Sequence, residues 1–366
     1  MRRVQFLHSP ACIVCRNYQM PIKGEYISFG LKIVSSIVQN RISGYKVPLL
    51  AYILVTNRCN LNCVYCFSNA NRVKNMDFPL EKLYSVIDQL KEAGTILITI
   101  AGGEPCLRSD IGEICNYVSQ KGMMVEVVTN GINFEQNLEA MKKIDFLAIS
   151  IDGSEEVHDV NRGKGTFAVA KHALDLAKKY NIHTRIHACF SRNTSHALPS
   201  LMEIANKYGV RANIAIPSIH TDNPHLSFSD DEIRDYYRQM KEYKKRGYLV
   251  SNSNSTLDFV SNWPGNFGYV AEKPDPSLPY LPCKRKDFSI YIDVDGRAYP
   301  CASVWGKYNF NVFELGVKKA FEQFKTVSCN TCIIEAEFNL LFCGSLSSLV
   351  NIAAFGLWDR IKALIK

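Results

Sequence analysis

From residue 51 onward, short runs of apolar and β-branched residues alternate with longer stretches whose apolar positions recur every three or four residues. The first pattern belongs to strands buried on both faces and the second to helices that cover them, so the alternation predicts a parallel α/β sheet. Strands are expected near 51–57, 96–101, 123–128, 145–151, 183–190 and 210–216. Helices are expected near 79–93, 109–121, 134–143, 164–180, 195–208 and 229–246. Pro79 suits a helix start, and the segment behind it places Leu80, Leu83, Val86, Ile87 and Leu90 on one face. Six such units close most of a barrel, and β/α barrels carry their chemistry at the C-terminal ends of the strands. The expected fold class is α/β, a partial (β/α)6 TIM-like barrel.

Beyond the barrel, Pro274, Pro276, Pro279 and Pro282 mark a turn-rich boundary. A hairpin follows, with Phe288–Ile292 as one arm, Asp295-Gly296 as the turn and Arg297–Tyr299 as the other. Residues 26–42 read as an amphipathic helix with Ile27, Leu31, Val34 and Val38 on one stripe, ended by Ser43-Gly44. At the other end Leu346, Leu349, Val350, Ala353, Leu357, Ile361 and Leu364 recur at helical spacing.

Charge changes this picture at the ends only. Of a net charge of +8, residues 1–50 carry +6 and residues 338–366 carry +2, while the body between holds 33 charges of each sign. No nucleic-acid partner is expected. Basic residues beside amphipathic helices attract anionic lipid, and Trp358 would suit a headgroup region. The run from Phe338 to Trp358 lacks charge but is broken by Asn339, Ser345, Ser347, Ser348 and Asn351, which makes it a poor spanning helix. Both helices packing on the barrel is the other outcome. The N-terminal Met1-Arg2-Arg3 is basic, but His8, Ser9 and Pro10 interrupt the apolar stretch, so a secretory signal is not expected. Clustered thiols point to a reducing compartment. The expected location is cytoplasmic, with peripheral attachment to the inner face of the cell membrane.

The chemistry is written in the cysteines. Cys59, Cys63 and Cys66 follow the first strand in the spacing C-x3-C-x2-C. Three thiolates on one loop can hold a [4Fe–4S] cluster without enclosing it, because such a cluster takes four ligands. The run resembles the signature of radical S-adenosylmethionine (AdoMet) enzymes. That resemblance implies an open iron that binds the amino and carboxylate groups of AdoMet, and a 5′-deoxyadenosyl radical that takes hydrogen from a substrate. Three buried thiols, or half of a zinc site, is the structural alternative.

Gly102-Gly103-Glu104-Pro105 follows the second strand, Asn130 lies in Thr129-Asn130-Gly131 after the third, and Ser150 and Asp152 lie in Ser150-Ile151-Asp152-Gly153 after the fourth. By the resemblance, Gly102, Gly103, Glu104 and Pro105 hold the methionine amino group, with Glu104 accepting from the ammonium. Asn130, Ser150 and Asp152 are placed near the carboxylate and ribose, and Tyr65 packs on the adenine side. His158 and Arg162 lie just downstream, and an arginine suits carboxylate binding.

A second set comprises Cys283, Cys301, Cys329 and Cys332. Its spacing resembles the shortened auxiliary-cluster domain called twitch, a relative of the SPASM domain, which implies a second, closed [4Fe–4S] cluster. A four-cysteine zinc site is the rival. Cys12 and Cys15 read as half of another metal or redox site. Cys106 reads as a hydrogen donor or as a small buried hydrophobe, and Cys115 and Cys189 as buried hydrophobes. Cys343 reads as a core thiol or a substitute auxiliary ligand.

The resulting organisation has a basic N-terminal extension over 1–50, the barrel over 51–225, a helical linker over 226–275, the twitch-like iron–sulfur domain over 276–345 and a C-terminal amphipathic helix over 346–366. The expected activity is hydrogen abstraction from a substrate C–H bond after reductive cleavage of AdoMet. Flavodoxin or ferredoxin would donate the electron. The two basic, amphipathic ends favour a lipid or membrane-associated substrate. The stretch Gly44–Leu50 also loosely resembles enzymes that modify hopanoid lipids. A peptide maturase is the alternative, and a non-catalytic iron–sulfur or zinc protein is the alternative of another class.

Overall fold

Six parallel strands follow one another in order, each returned to the sheet by a helix. The computed structural model describes residues 24–66, 76–216, 224–265, 267, 277, 281–330, 335–345 and 347–350. The barrel elements are β1 (Leu50–Thr56), α2 (Leu80–Glu92), β2 (Leu97–Gly102), α3 (Ile111–Gln120), β3 (Met124–Thr129), α4 (Leu138–Met141), β4 (Phe146–Ser150), α5 (Glu155–Arg162), α6 (Thr166–Lys179), β5 (Thr184–Cys189), α7 (Leu198–Tyr208) and β6 (Arg211–Ala215). They are preceded by α1 (Gly24–Ser43) and followed by α8 (Asp230–Lys245) and α9 (Asn254–Ser261). The C-terminal part adds α10 (Arg285–Phe288), β7 (Ser289–Ile292), β8 (Arg297–Tyr299), β9 (Phe310–Asn311), α11 (Val312–Leu315), α12 (Val317–Glu322) and α13 (Ala336–Phe342).

The sheet has nine strands in the order β6-β5-β4-β3-β2-β1-β7-β8-β9. The expected hairpin forms, but its first arm β7 pairs in parallel with β1, Tyr52 facing Tyr291. The auxiliary region is therefore joined to the barrel through continuous sheet hydrogen bonds. All six expected strands are present, most within a residue or two of their expected limits. The short helices α5 and α9 were not foreseen. Each is only eight residues long and follows a serine, too brief for periodicity to speak.

Strand alternation splits the barrel into two environments. Ile98, Ile100, Val125, Val127, Leu147, Ile149, Ile186 and Ala188 point outward and pack on Leu83, Ile87, Ile114, Val118, Leu174 and Leu201 of the helices. Their neighbours Thr99, Glu126, Ser150, Arg185, His187 and Cys189 point the other way, into the lumen.

The terminal helices depart from the expectation. On α1 the packed residues are Ile33 and Ile37, which join Phe288, Phe338, Leu341 and Phe342 in one cluster. Leu31, Val34 and Val38, the stripe picked out by spacing, face solvent. The helix carries two apolar faces, and periodicity alone does not say which one the barrel takes. The start of the charge-free run, Phe338–Phe342, is core, with Phe342 stacked on Phe288 at 4.3 Å. That corrects the reading of this run as an interfacial helix over Phe338–Phe342, and Leu349 packs on the same cluster while Val350 is exposed; residues 351–366, Trp358 among them, lie outside the described residues, as do Cys12, Cys15 and Cys332. Among the described residues no helix is long and apolar enough to cross a membrane.

Candidate active site

The loop that carries Cys59, Cys63 and Cys66 is moored to the ends of three strands. At β2, Gly103 N–H donates to the Thr56 carbonyl at 2.7 Å and Glu104 N–H to the Arg58 carbonyl at 2.8 Å. A Cβ on Gly102 would overlap the Thr56 carbonyl and one on Gly103 the Arg58 carbonyl. The glycine pair is thus required by the close approach of two backbones. At β3, the Asn130 side chain donates to Asn60 Oδ1 at 2.7 Å. At β4, the Tyr65 hydroxyl donates to Asp152, and Val64 N–H donates to the Asn161 carbonyl of α5 at 3.1 Å. Arg58 adds a bidentate pair to Asp77, at 2.8 and 2.7 Å.

The three thiols form no disulfide and are half-buried, and they sit close enough that Cys63 and Cys66 raise the proton affinity of Cys59, and Cys66 that of Cys63. Burial pushes Cys59 up to about 11 and Cys63 upward too, with Arg162 opposing the rise at Cys63. Cluster assembly must therefore displace protons from these sulfurs. Among the described residues no His, Cys, Asp or Glu side chains are gathered for a single metal ion. A four-iron cluster holds each thiolate on a different iron, so its ligands stand wider apart than those of one ion. The donor set suits it in kind: thiolates alone, on one loop, beneath a cationic Arg162.

Glu104, expected at the AdoMet ammonium, has protein contacts that the sequence did not foresee. Its carboxylate is buried and accepts from Cys106 N–H at 2.9 Å, the Thr129 hydroxyl at 2.7 Å and Asn130 N–H at 2.7 Å. The Cys106 thiol bonds to it as well. A carboxylate offers about four lone-pair sites, so this one is filled by protein donors. It braces the end of β2 against the end of β3, and burial raises its pKa. Pro105 opens the short turn that follows.

Asp152 is also a brace. Besides Tyr65 it accepts from Arg162 Nε at 2.9 Å and Nη2 at 3.1 Å, from Asn161 at 3.3 Å and from Cys189 N–H at 3.0 Å. Burial would raise its pKa, but Arg162 and these hydrogen bonds hold it below the usual carboxylate range. The Arg162 guanidinium also lies 5.5 Å from the Tyr65 ring centre. His158 is buried, its Nδ1 accepts from Asp152 N–H at 3.3 Å, and burial pulls it down to about 4. Ser150 is buried at the end of β4.

Below the loop the lumen is polar. Glu126 accepts from Arg185 Nε at 2.7 Å and from the Thr99 hydroxyl at 3.0 Å. Tyr52 and Tyr291 stack at 4.2 Å, and Arg285, paired with Glu335 at 2.6 Å, lies near both rings. None of these groups was singled out from the sequence. The available signal was a charged or polar residue at every second position of an otherwise apolar strand, as in Arg185, His187 and Cys189. Cys189, read as a buried hydrophobe, lies on this lumen face with Asp152, Cys63 and Cys66 as electrostatic neighbours. Cys106 and Cys115 do lie in the apolar core.

In the C-terminal part Cys283, Cys301 and Cys329 come together. Cys283 and Cys329 share a hydrogen bond, and Cys301 is a near neighbour of both. Cys301 and Cys329 pack with Tyr299, Val304 and Val327. Backbone N–H groups of Arg285 and Lys286, with the Lys286 charge, favour the thiolate at Cys283. Cys343 sits apart, beside Arg41 and Lys284.

A moored three-cysteine loop at the mouth of a parallel β/α barrel defines the class. Residues 53–205 match the family model of the radical SAM superfamily, and this barrel belongs to that superfamily, whose members are enzymes that use a [4Fe–4S] cluster and AdoMet. The chain is 29% identical over 186 residues to the mycofactocin maturase MftC of Mycolicibacterium smegmatis, covering 50% of this chain and 47% of that protein. It is 32% identical over 148 residues to the antilisterial bacteriocin subtilosin biosynthesis protein AlbA of Bacillus subtilis, covering 39% and 33%. It is 28% identical over 164 residues to an Fe-coproporphyrin III synthase of Methanosarcina barkeri, covering 43% and 41%. The matched region thus spans about half or less of these curated relatives. The fold resembles SuiB of Streptococcus suis bound to S-adenosylmethionine, with a TM-score of 0.61, 18% identity, and coverage of 80% of this chain and 69% of that one. It also resembles anSMEcpe with bound AdoMet, with a TM-score of 0.60, 17% identity, and coverage of 87% and 94%.

Proposed function

We propose that the chain is a radical AdoMet maturase of a peptide substrate. Cys59, Cys63 and Cys66 would hold the catalytic cluster, and Arg162 and the backbone around Gly102 and Gly103 would face AdoMet. Bound there, cluster and AdoMet supply the electron and the 5′-deoxyadenosyl group that removes a hydrogen atom from the substrate. This chain's part is to hold the loop rigid through Tyr65, Asp152 and Asn130, and to keep the lumen enclosed. Cys283, Cys301, Cys329 and Cys332 would hold a second, closed [4Fe–4S] cluster, with flavodoxin or ferredoxin as electron donor.

The observation that carries the peptide reading is the lumen itself. Glu126, Arg185, His187, Tyr52 and Tyr291 line it, and a hydrocarbon chain pressed against them would strand polar groups without partners. A peptide brings amides and polar side chains to meet them. MftC, named a maturase, and AlbA, named for bacteriocin biosynthesis, point the same way. A lipid substrate keeps one support, the exposed Leu31, Val34, Val38 and Ile42 on α1, and none from the comparisons.

The test is AdoMet cleavage by the anaerobically reconstituted full chain. Ribosomally made peptides should raise 5′-deoxyadenosine formation above the substrate-free rate, and membrane lipid extract should not. Stimulation by lipid alone would reverse the assignment.

A further inference from the structure

We propose that the floor of the barrel lumen is a carboxylate-binding subsite, in which Arg185 and His187 receive an acidic group of the substrate. The inference rests on the lumen being the substrate chamber, and it deepens the peptide reading by naming what the peptide must carry.

Arg185 spends only its Nε on Glu126, at 2.7 Å, and its buried Nη1 has no hydrogen-bond partner among the described residues. His187 Nδ1 is likewise buried and without one. Buried polar nitrogens left without partners are rare in folded proteins and call for a water or a ligand. The two side chains lie two residues apart on the same face of β5, about 6.6 Å along the strand. A carboxylate between them can accept from one with each oxygen.

Three features select an anion over a neutral acceptor. A guanidinium presents its donors as a fork that matches a carboxylate. Glu126, the nearest acid, is already held by Arg185 and by Thr99 at 3.0 Å. Arg211 is the register partner of Arg185 on β6, so two arginines stand at one level of the sheet. Burial and the charges of Arg185 and Arg162 keep His187 neutral at physiological pH, with Glu126 and Asp152 opposing them. Neutral imidazole donates one hydrogen bond without adding charge.

The subsite does not belong to AdoMet. Arg185 lies four residues before Cys189 on β5, about 13 Å down the strand, whereas Cys189 N–H is the group that reaches Asp152 beside the cysteine loop.

The experiment is affinity selection on the full-length, anaerobically reconstituted protein with AdoMet, read by mass spectrometry. Four probe pools are offered: random peptides with free carboxylates, the same peptides methyl-esterified, a mixture of non-peptide carboxylic acids, and their methyl esters. Wild type should retain free-acid peptides about tenfold over their esters, as expected for one charge-assisted contact. The paired variant Glu126→Gln with Arg185→Gln removes both charges together, so no ion is stranded. It should lose the preference while AdoMet binding and iron content stay unchanged. His187→Phe should weaken the preference with the ion pair intact. Equal retention of acids and esters by wild type overturns the subsite, as does no retention from any pool or an undiminished preference in the paired variant. An Arg185-dependent preference confined to non-peptide acids upholds the subsite and overturns the peptide reading.

Discussion

Replacing Glu104 by glutamine separates two roles that a Gly-Gly-Glu-Pro motif suggests equally well. If the carboxylate holds the AdoMet ammonium, the variant folds normally and binds AdoMet poorly. If it braces two strand ends, the variant loses stability before any ligand is added. The geometry favours the brace, with donors at 2.9, 2.7 and 2.7 Å on the two oxygens. Glutamine keeps the shape but turns one oxygen into a donor. With its oxygen toward Cys106 and Thr129, its NH2 meets the Asn130 N–H. Flipped, it meets the Cys106 N–H, and only the Thr129 hydroxyl can turn to accept. Either way one buried backbone N–H is left facing a donor, which costs about 1–3 kcal/mol, and the remaining bonds lose their charge assistance. A total near 3 kcal/mol is expected, which for 366 residues at about 2.1 cal/mol/K of unfolding entropy per residue is a fall of roughly 4 °C in melting temperature.

The assay is thermal unfolding of cluster-free wild type and Glu104→Gln, followed by AdoMet binding after reconstitution below the variant's melting range. The expected result is the lower melting temperature, with AdoMet affinity changed little once the fold is intact. An unchanged melting temperature combined with lost AdoMet binding would refute the brace and restore the ammonium role.

Four further outcomes follow from the same geometry. Tyr65→Phe keeps the ring but loses the hydroxyl tie to Asp152; it should cost about 1–2 kcal/mol and speed loss of the catalytic cluster in air, read by the decay of its visible absorbance. Gly103→Ala should prevent incorporation of the catalytic cluster, about half of the iron, because its Cβ would overlap the Arg58 carbonyl; normal iron content in that variant would show that the backbone contact is loose. Anaerobic reconstitution should yield about eight irons per chain, with Cys329→Ala losing about half of them and Cys59→Ala losing AdoMet cleavage; one zinc in place of the second set would reject the auxiliary cluster. Burial would raise the pKa values of Asp152 and Glu126, but their arginine and hydrogen-bond partners hold both below their ordinary 3.8 and 4.5. Their contribution is therefore fully present above about pH 4.5 and lost as pH falls through the folded values, so acid unfolding should begin at higher pH in Arg185→Lys than in wild type.

Much of the barrel was legible because its signals are local. Strand composition, helix periodicity and the three-cysteine spacing each act within a dozen residues, and the sheet order follows from successive β/α units. The lumen was not legible in the same way. Glu126 and Arg185 are 59 positions apart, and their meeting depends on the registers of β3, β4 and β5 acting together. Asp152 shows the same limit from the other side. Its position after β4 was read correctly, but its five donors come from the cysteine loop, α5 and β5, and only assembly reveals that they use up its oxygens.

These braces bear on what the chemistry requires of this chain. A radical site must hold its reactants within a narrow geometry, since misplacement of about 1 Å can cost a hundredfold in rate. Here the positioning groups are carboxylates already saturated by protein donors, Glu104 between β2 and β3 and Asp152 between the loop, α5 and β5. Neither can be recruited by a ligand without breaking a strand-to-strand tie. Arg185 and His187, which like Arg285 keep a buried nitrogen without a partner among the described residues, lie deeper, where a substrate would arrive. Structural acids at the rim and available donors at the floor thus divide the lumen between holding the cofactors and choosing the substrate. Substitutions at the two levels should separate accordingly: Asp152→Asn should reduce AdoMet cleavage without substrate, whereas His187→Phe should leave that basal cleavage intact and lower only its stimulation by acidic peptides. Equal loss of basal cleavage in both variants would show that the rim and the floor act as one site.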